Sequence, residues 1–323
     1  MKIFLKYISS LLCLLLLIST VACGGADDTD STDTSDAPVD VTPTSQYGVI
    51  GIDEAELISG INCKYALLTA VDGLGAVATR RSSEKMYPAS MTKVMTFIVA
   101  FENARSLEDK TAITKEMKNK YADASRIGID IGDILTTEQL LYALLLESDT
   151  DAALALAEYV AGSEEDFVKL MNDKCAELGL TSTQFANVTG LHDENHYTTA
   201  AEMTSVFAYA LENELFRKII TTETYVTFLE YYKGSELKEY RMTFQNTTIS
   251  PVKGRFAKNG VSLDFDGGSV IGGKTGYTDE AKYCLALLVK DSNEKEYILI
   301  TADASTQRDS AADSLYICKN YVN

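Results

Sequence analysis

Apolar runs of strand length stand near both ends of the chain, and helix-spaced apolar positions fill the stretch between them. Residues 64–71 and 75–80 read as a hairpin around Asp72-Gly73. Residues 284–290 and 296–302 read as two further strands around Asp291-Ser292-Asn293-Glu294. Between these ends, residues 90–103 carry Met95, Phe97, Ile98 and Phe101 at helical spacing, and residues 137–147 and 151–160 read as two successive helices. Ser163 is placed to cap a further helix with an acidic first turn and a buried face of Phe167, Leu170, Met171, Cys175 and Leu178. A helix opening at Thr198 or Thr199 runs towards Leu211, and residues 310–321 close the chain as a helix. This order predicts an α+β fold: an antiparallel sheet built from both chain ends, with flanking helices and a separate helical lobe.

Composition restricts the function. Of 323 residues 46% are hydrophobic, enough for a real core, so wholesale disorder is excluded. A net charge of −18 argues against nucleic acid as a partner, which needs a basic footprint. With two histidines there is little material for a histidine-rich metal centre.

The ends of the chain differ from its body. Residues 1–22 have a lysine-bearing start, an apolar middle too short to cross a bilayer and a small-residue end, the pattern of a secretory signal. Thr20-Val21-Ala22-Cys23-Gly24 resembles a bacterial lipoprotein cleavage box, with Thr20 where leucine is usual. That resemblance implies a lipid on Cys23, holding the protein to the outer face of the cytoplasmic membrane. The plainer alternative is secretion after cleavage near Ala22. Residues 23–46 contain six aspartates and no basic residue, and are expected to be an extended, disordered tether. From residue 47 to residue 323 no second linker, repeat or further membrane run is found, so the body is expected to be one domain. The body is acidic, which does not suit binding to anionic lipid and leaves Cys23 as the expected anchor.

Three short motifs in the body carry chemistry. Ser90-Met91-Thr92-Lys93 places a serine and a lysine on one helical face. A serine hydroxyl needs a base to become nucleophilic, and a lysine serves if its amine is neutral. Burial and a nearby positive charge both favour that state. Ser148-Asp149-Thr150 lies between two helices. Lys274-Thr275-Gly276 follows a cluster of glycines and leads into a strand; a phosphate loop has the same spacing but should open a helix. Each motif alone is weak. In this order they match the constellation of penicillin-binding proteins and class A β-lactamases.

The chain resembles the low-molecular-mass, serine-type D-alanyl-D-alanine carboxypeptidases over roughly residues 60–323. The likeness rests on the segment from Tyr87 to Thr96, the helix from Asp151 to Glu158, residues 167–178, Gly190-Leu191-His192-Asp193-Glu194-Asn195-His196-Tyr197 and the segment from Gly273 to Ala281. The resemblance implies a β-lactamase/DD-peptidase-like fold and peptidoglycan stem peptides ending in D-Ala-D-Ala as substrate. β-Lactams would be covalent inhibitors, and no cofactor or metal would be needed. It implies Ser90 as nucleophile, Lys93 as its base, kept neutral by a positive Lys274 in the same cleft, and Ser148 as proton relay. Thr150, Lys274, Thr275, Gly276 and Tyr277 would bind substrate, with the backbone N–H groups of Ser90 and Tyr277 as oxyanion hole. Family members often carry a β-rich domain and a membrane helix after the catalytic domain; with Asn323 directly after the closing helix, neither is expected here.

One departure stands out. The family's second motif is usually Ser-x-Asn, and the third position here is Thr150, with one hydroxyl in place of an amide. A catalytically weakened penicillin- or peptidoglycan-binding protein is therefore an alternative. A class A-like β-lactamase is less favoured, because residues 164–172 read as an amphipathic helix without a Glu-x-x-Leu-Asn loop. A zinc enzyme would have only His192 and His196 to use and would leave the serine motifs unexplained. Cys175 and Cys284 read more simply as free core residues, no disulfide is assigned among Cys63, Cys175, Cys284 and Cys318, and the tyrosine-rich residues 222–265 are expected to form strands and a loop near the cleft.

Overall fold

The computed structural model describes residues 50–52, 54–121 and 124–322. The leader, Cys23 and the tether lie outside the described residues. The strands are β1 (Glu56–Leu57), β2 (Tyr65–Ala70), β3 (Ala76–Arg80), β4 (Lys110–Ala112), β5 (Ile134–Thr136), β6 (Thr224–Lys233), β7 (Glu236–Gln245), β8 (Asp264–Phe265), β9 (Gly268–Thr278), β10 (Lys282–Asp291) and β11 (Glu296–Ala304). The helices are α1 (Lys93–Asn103), α2 (Lys115–Lys120), α3 (Thr137–Leu146), α4 (Thr150–Ala161), α5 (Glu164–Glu177), α6 (Ala200–Leu211), α7 (Glu214–Ile220), α8 (Arg255–Lys258) and α9 (Gln307–Tyr321).

Seven strands form one sheet in the order β1-β3-β2-β11-β10-β9-β8. The N-terminal β2 pairs antiparallel with the C-terminal β11, so the sheet is completed by both ends, as the sequence predicts. Its strands read as continuous apolar runs because both faces are covered. Leu67, Ala286, Leu288, Ile298 and Ile300 face the helical lobe. Their neighbours Leu68, Leu285, Leu287 and Leu299 pack with Phe256, Ala311 and Ile317 of α8 and α9. Asp313 of α9 accepts from the backbone N–H groups of Asn62 and Cys63, each at 2.7 Å, and so ties the closing helix to the entry of β2.

The helical lobe is assembled from capped helices. Thr136 and Gln139 form a reciprocal capping box at α3. Ser163 and Thr199 cap α5 and α6 through the backbone N–H groups of Asp166 and Glu202. The tyrosine-rich stretch forms the long ribbon β6–β7, which joins the short β4 and β5 in a second, four-stranded sheet. The ring of Tyr225 stacks on Tyr142 of α3 at 3.8 Å between centroids, which holds the ribbon to the lobe. Cys63, Cys175, Cys284 and Cys318 are buried and free.

Candidate active site

Ser90 sits on a short 3-10 turn, Ala89–Thr92, that runs into α1. The helix starts at Lys93, three residues later than the sequence spacing suggests, after a turn that opens at Ala89 with a left-handed φ of 46°. Two glycines let other chain segments press on this turn. A Cβ on Gly190 would stand 1.9 Å from the Ala89 carbonyl oxygen, and one on Gly276 would stand 3.2 Å from the Ser90 nitrogen. Gly190 also holds a left-handed φ of 85°, which only glycine adopts without strain.

Lys93 is 1% exposed. Its Nζ lies 3.2 Å from Ser90 Oγ and donates to the Thr189 carbonyl at 2.6 Å. Burial lowers the amine's pKa to about 7, with buried Asp149 pulling the other way. The expected cause differs: desolvation, rather than the charge of Lys274, is the main reason that a share of Lys93 is neutral near physiological pH. A neutral amine that gives one N–H to Thr189 can turn its lone pair to the Ser90 hydroxyl.

The Thr189 carbonyl is itself held. Asn187 Oδ1 accepts from the Thr189 and Gly190 backbone N–H groups at 3.1 and 2.8 Å, and its amide donates to the Leu191 carbonyl at 2.9 Å. His196 joins this segment to the nucleophile turn. Its Nε2 meets Thr92 Oγ1 at 2.7 Å and its Nδ1 accepts from the Ala186 N–H at 3.2 Å. Burial lowers its pKa to about 4, so it is neutral, and both ring nitrogens are taken.

Ser148 lies between α3 and α4 with a left-handed φ of 61°. Its hydroxyl oxygen is buried and has no hydrogen-bond partner among the described residues. A buried, unpartnered hydroxyl has a cost, and a group from a ligand would relieve it. Asp149 caps α4 through the Ala152 N–H at 2.8 Å and holds the Ile127 N–H at 2.9 Å. Thr150 is buried in the first turn of α4, and its N–H donates to the Ser125 carbonyl at 3.0 Å. The loop carrying Ala124 and Ser125 is fastened by Arg126 and Lys118, which pair with buried Asp151 at 2.9 and 2.7 Å.

The Lys274-Thr275-Gly276 strand is β9, and it runs past the nucleophile turn. These elements enclose a cavity of about 360 Å³. Ser90, Lys93, Ser148, Thr150, Thr275, Gly276 and Tyr277 all line it. Lys274 does not. It is fully buried, donates to the Thr275 carbonyl at 2.9 Å, and has its pKa pushed well down by burial and by the charges of Lys93 and Arg255.

Sequence reasoning missed three contributors. The Thr189 carbonyl carries no side-chain signal. Glu147 lines the cavity and accepts from the Gln245 N–H at 2.8 Å and from Lys253 Nζ at 2.8 Å. Arg255 also lines it, with its guanidinium buried and donating to the carbonyls of Cys284 and Gly276 at 2.7 and 3.2 Å. Burial lowers its pKa to about 10, which still leaves it charged. The signal for Glu147 was its place directly before Ser148.

A half-buried serine beside a buried lysine, a second serine and a hydroxyl-bearing strand around one cavity define a serine acyl-transfer site on an α+β scaffold. The family profile described as D-alanyl-D-alanine carboxypeptidase matches residues 55–306, and the chain belongs to that family. It is 33% identical over 255 residues to the D-alanyl-D-alanine carboxypeptidase DacF of Bacillus subtilis, covering 77% of this chain and 59% of that one. The chain thus spans about three-fifths of that relative's length. A Streptomyces D-alanyl-D-alanine carboxypeptidase is 34% identical over 222 residues, covering 65% of this chain and 68% of the relative. The crystal structure of a Streptomyces DD-transpeptidase matches with a TM-score of 0.69 at 26% identity, covering 80% of this chain and 97% of that one.

Proposed function

We propose that the chain is a serine-type D-alanyl-D-alanine carboxypeptidase that removes the terminal D-alanine from peptidoglycan stem peptides. The observation that carries this reading is Lys93: a buried amine with a pKa near 7, 3.2 Å from Ser90 Oγ in a cavity closed by the Lys-Thr-Gly strand. Lys93 takes the Ser90 proton as Oγ attacks the carbonyl between the two D-alanines. The backbone N–H groups of Ser90 and Tyr277 receive the developing oxyanion. The C–N bond then breaks, and D-alanine leaves with a proton passed through Ser148. An ester on Ser90 remains. Water cleaves it, and the proton returns through Lys93.

The charge around the cavity supports a carboxylate-ended substrate. Arg255 lines it and stays charged. β-Lactams would acylate the same serine. The test is D-alanine release from diacetyl-Lys-D-Ala-D-Ala, run beside labelling of Ser90 by a fluorescent penicillin. Labelling with no D-alanine release would favour a penicillin-binding protein without turnover, a reading prompted by Thr150 in place of asparagine.

The same reading extends to location. Residues 1–22 act as an export signal, Cys23 carries lipid, residues 23–46 are the tether and residues 47–323 the catalytic domain. Among the described residues no helix is long and apolar enough to cross a membrane. A radioactive fatty acid should label the wild type and not Cys23→Ala; an unlabelled wild type would overturn the lipid anchor.

A further inference from the structure

We propose that Thr247 is a specificity-determining residue, whose hydroxyl pairs with that of Thr275 to receive the terminal carboxylate of the substrate. The inference rests on the acyl-transfer reading above and assigns it a residue outside the three motifs.

Thr247 belongs to a strap, residues 245–255, that crosses from the second motif to the third. Its N–H donates to the Leu146 carbonyl at 2.9 Å, and its own carbonyl accepts from the Arg255 N–H at 2.8 Å. Glu147 fixes both sides of the strap. It accepts from the Gln245 N–H at 2.8 Å and from Lys253 Nζ at 2.8 and 3.0 Å. Asn246, the neighbour, is locked by donating to the Ile220 carbonyl at 2.8 Å. The backbone at Thr247 therefore has little freedom, and its side chain is set by the fold.

That side chain points to chemistry. Thr247 lines the same cavity as Ser90 and Ser148, and its Oγ1 lies 2.9 Å from Thr275 Oγ1. Thr275 is buried, whereas Thr247 is half-buried and so the more accessible of the two. Two facing hydroxyls hold two protons. One proton satisfies the bond between them and the other needs a further acceptor. Neither side chain has another hydrogen-bond partner among the described residues. A carboxylate oxygen can accept that remaining proton, and its second oxygen can take the other if the two hydroxyls turn from each other. The surrounding charge has the right sign: the buried Arg255 guanidinium lines the cavity, and its Nε has no partner among the described residues. Glu147, the acid in the cavity wall, is already neutralised by Lys253. A lone structural staple between strap and strand would need neither the exposure of Thr247 nor cationic neighbours.

The test compares two thioesters on the full chain: N-acyl-D-alanyl-thioglycolic acid and its methyl ester. Thiol release reports acylation, and only the acid offers the carboxylate. The wild type should prefer the acid. Thr247→Val should lower that preference about tenfold, the worth of one hydrogen bond to a charged group, with ester rates held within about twofold. Thr247→Ser should keep the wild-type preference. Equal slowing of both substrates, or an unchanged preference, would overturn the inference and leave a structural staple. Thioester cleavage without D-alanine release from the peptide would remove the carboxypeptidase reading and leave this one standing. A wild type that releases no thiol from either substrate overturns both.

Discussion

Gly190 approaches Ala89 so closely that any Cβ at position 190 would stand 1.9 Å from the Ala89 carbonyl oxygen. The nucleophile turn is thus fixed by a neighbour about a hundred residues away in sequence, and the fixing element is the absence of a side chain. Gly190→Ala adds a backbone clash to a left-handed φ of 85°. The strain is on the order of 2 kcal/mol. At roughly 2–4 °C per kcal/mol, melting should fall by about 5 °C. Penicillin labelling of Ser90 should largely vanish. Gly276→Ala, with contacts of 3.1–3.2 Å, should be milder on both measures. Wild-type labelling by Gly190→Ala would mean that the turn is not held as described.

Lys93 sets a pH dependence with a defined sign. Its pKa of about 7 lies below the ordinary lysine value because it is buried. Only the neutral amine accepts the Ser90 proton, so acylation should fall as pH drops through about 7. The same shift affects stability. Above a pH of about 7 and up to the ordinary lysine range the unfolded chain binds the extra proton, so this group makes stability rise with pH across that window. Lys93→Arg brings a permanent charge and cannot act as base, and should slow acylation by about a hundredfold or more. Rates of penicillin labelling between about pH 5.5 and about pH 8.5 would check this; a flat profile would contradict it.

Thr150, which the motif order sets where the family usually has asparagine, is buried against the cavity. An asparagine there would offer both a carbonyl and an amide to Lys93 and substrate. Thr150→Asn should keep or raise D-alanine release from the diacetyl peptide. A large loss would mean that the hydroxyl is tuned to this site.

Glu147 should matter for stability as much as for binding. Glu147→Ala leaves the Gln245 N–H without its acceptor and should cost about 1–3 kcal/mol. Glu147→Gln keeps an acceptor and loses only the pair with half-exposed Lys253, worth about 1 kcal/mol or less. Thermal unfolding of the two variants should separate them in that order; equal melting points would contradict the assignment.

Much of this architecture is readable from one sequence because local rules and global fold agree. The apolar runs of β2, β10 and β11, the helix spacing of α3 to α6 and the caps at Ser163 and Thr199 each follow from the pattern of side chains. Ser90, Lys93, Ser148, Thr150, Thr275, Gly276 and Tyr277 do meet at one cavity. What stayed hidden depends on long-range contacts. The carbonyl that holds Lys93 belongs to Thr189, and a backbone group leaves no mark in composition. Arg255 looks like an ordinary basic residue until β9 and β10 bring the carbonyls of Gly276 and Cys284 to it. β4 and β5, three residues each, are too short for alternation to show, so the second sheet could not be seen whole. Lys274 is fully buried and does not line the cavity, and its motif carried no sign of that burial.

The most direct test is steady-state release of D-alanine from diacetyl-Lys-D-Ala-D-Ala by the wild type, Ser90→Ala and Lys93→Arg. The wild type should release D-alanine over many turnovers, while Ser90→Ala releases none and Lys93→Arg about a hundredth or less. Release that persists in Ser90→Ala, or a wild type that stops at one equivalent per chain, would contradict a carboxypeptidase working through Ser90.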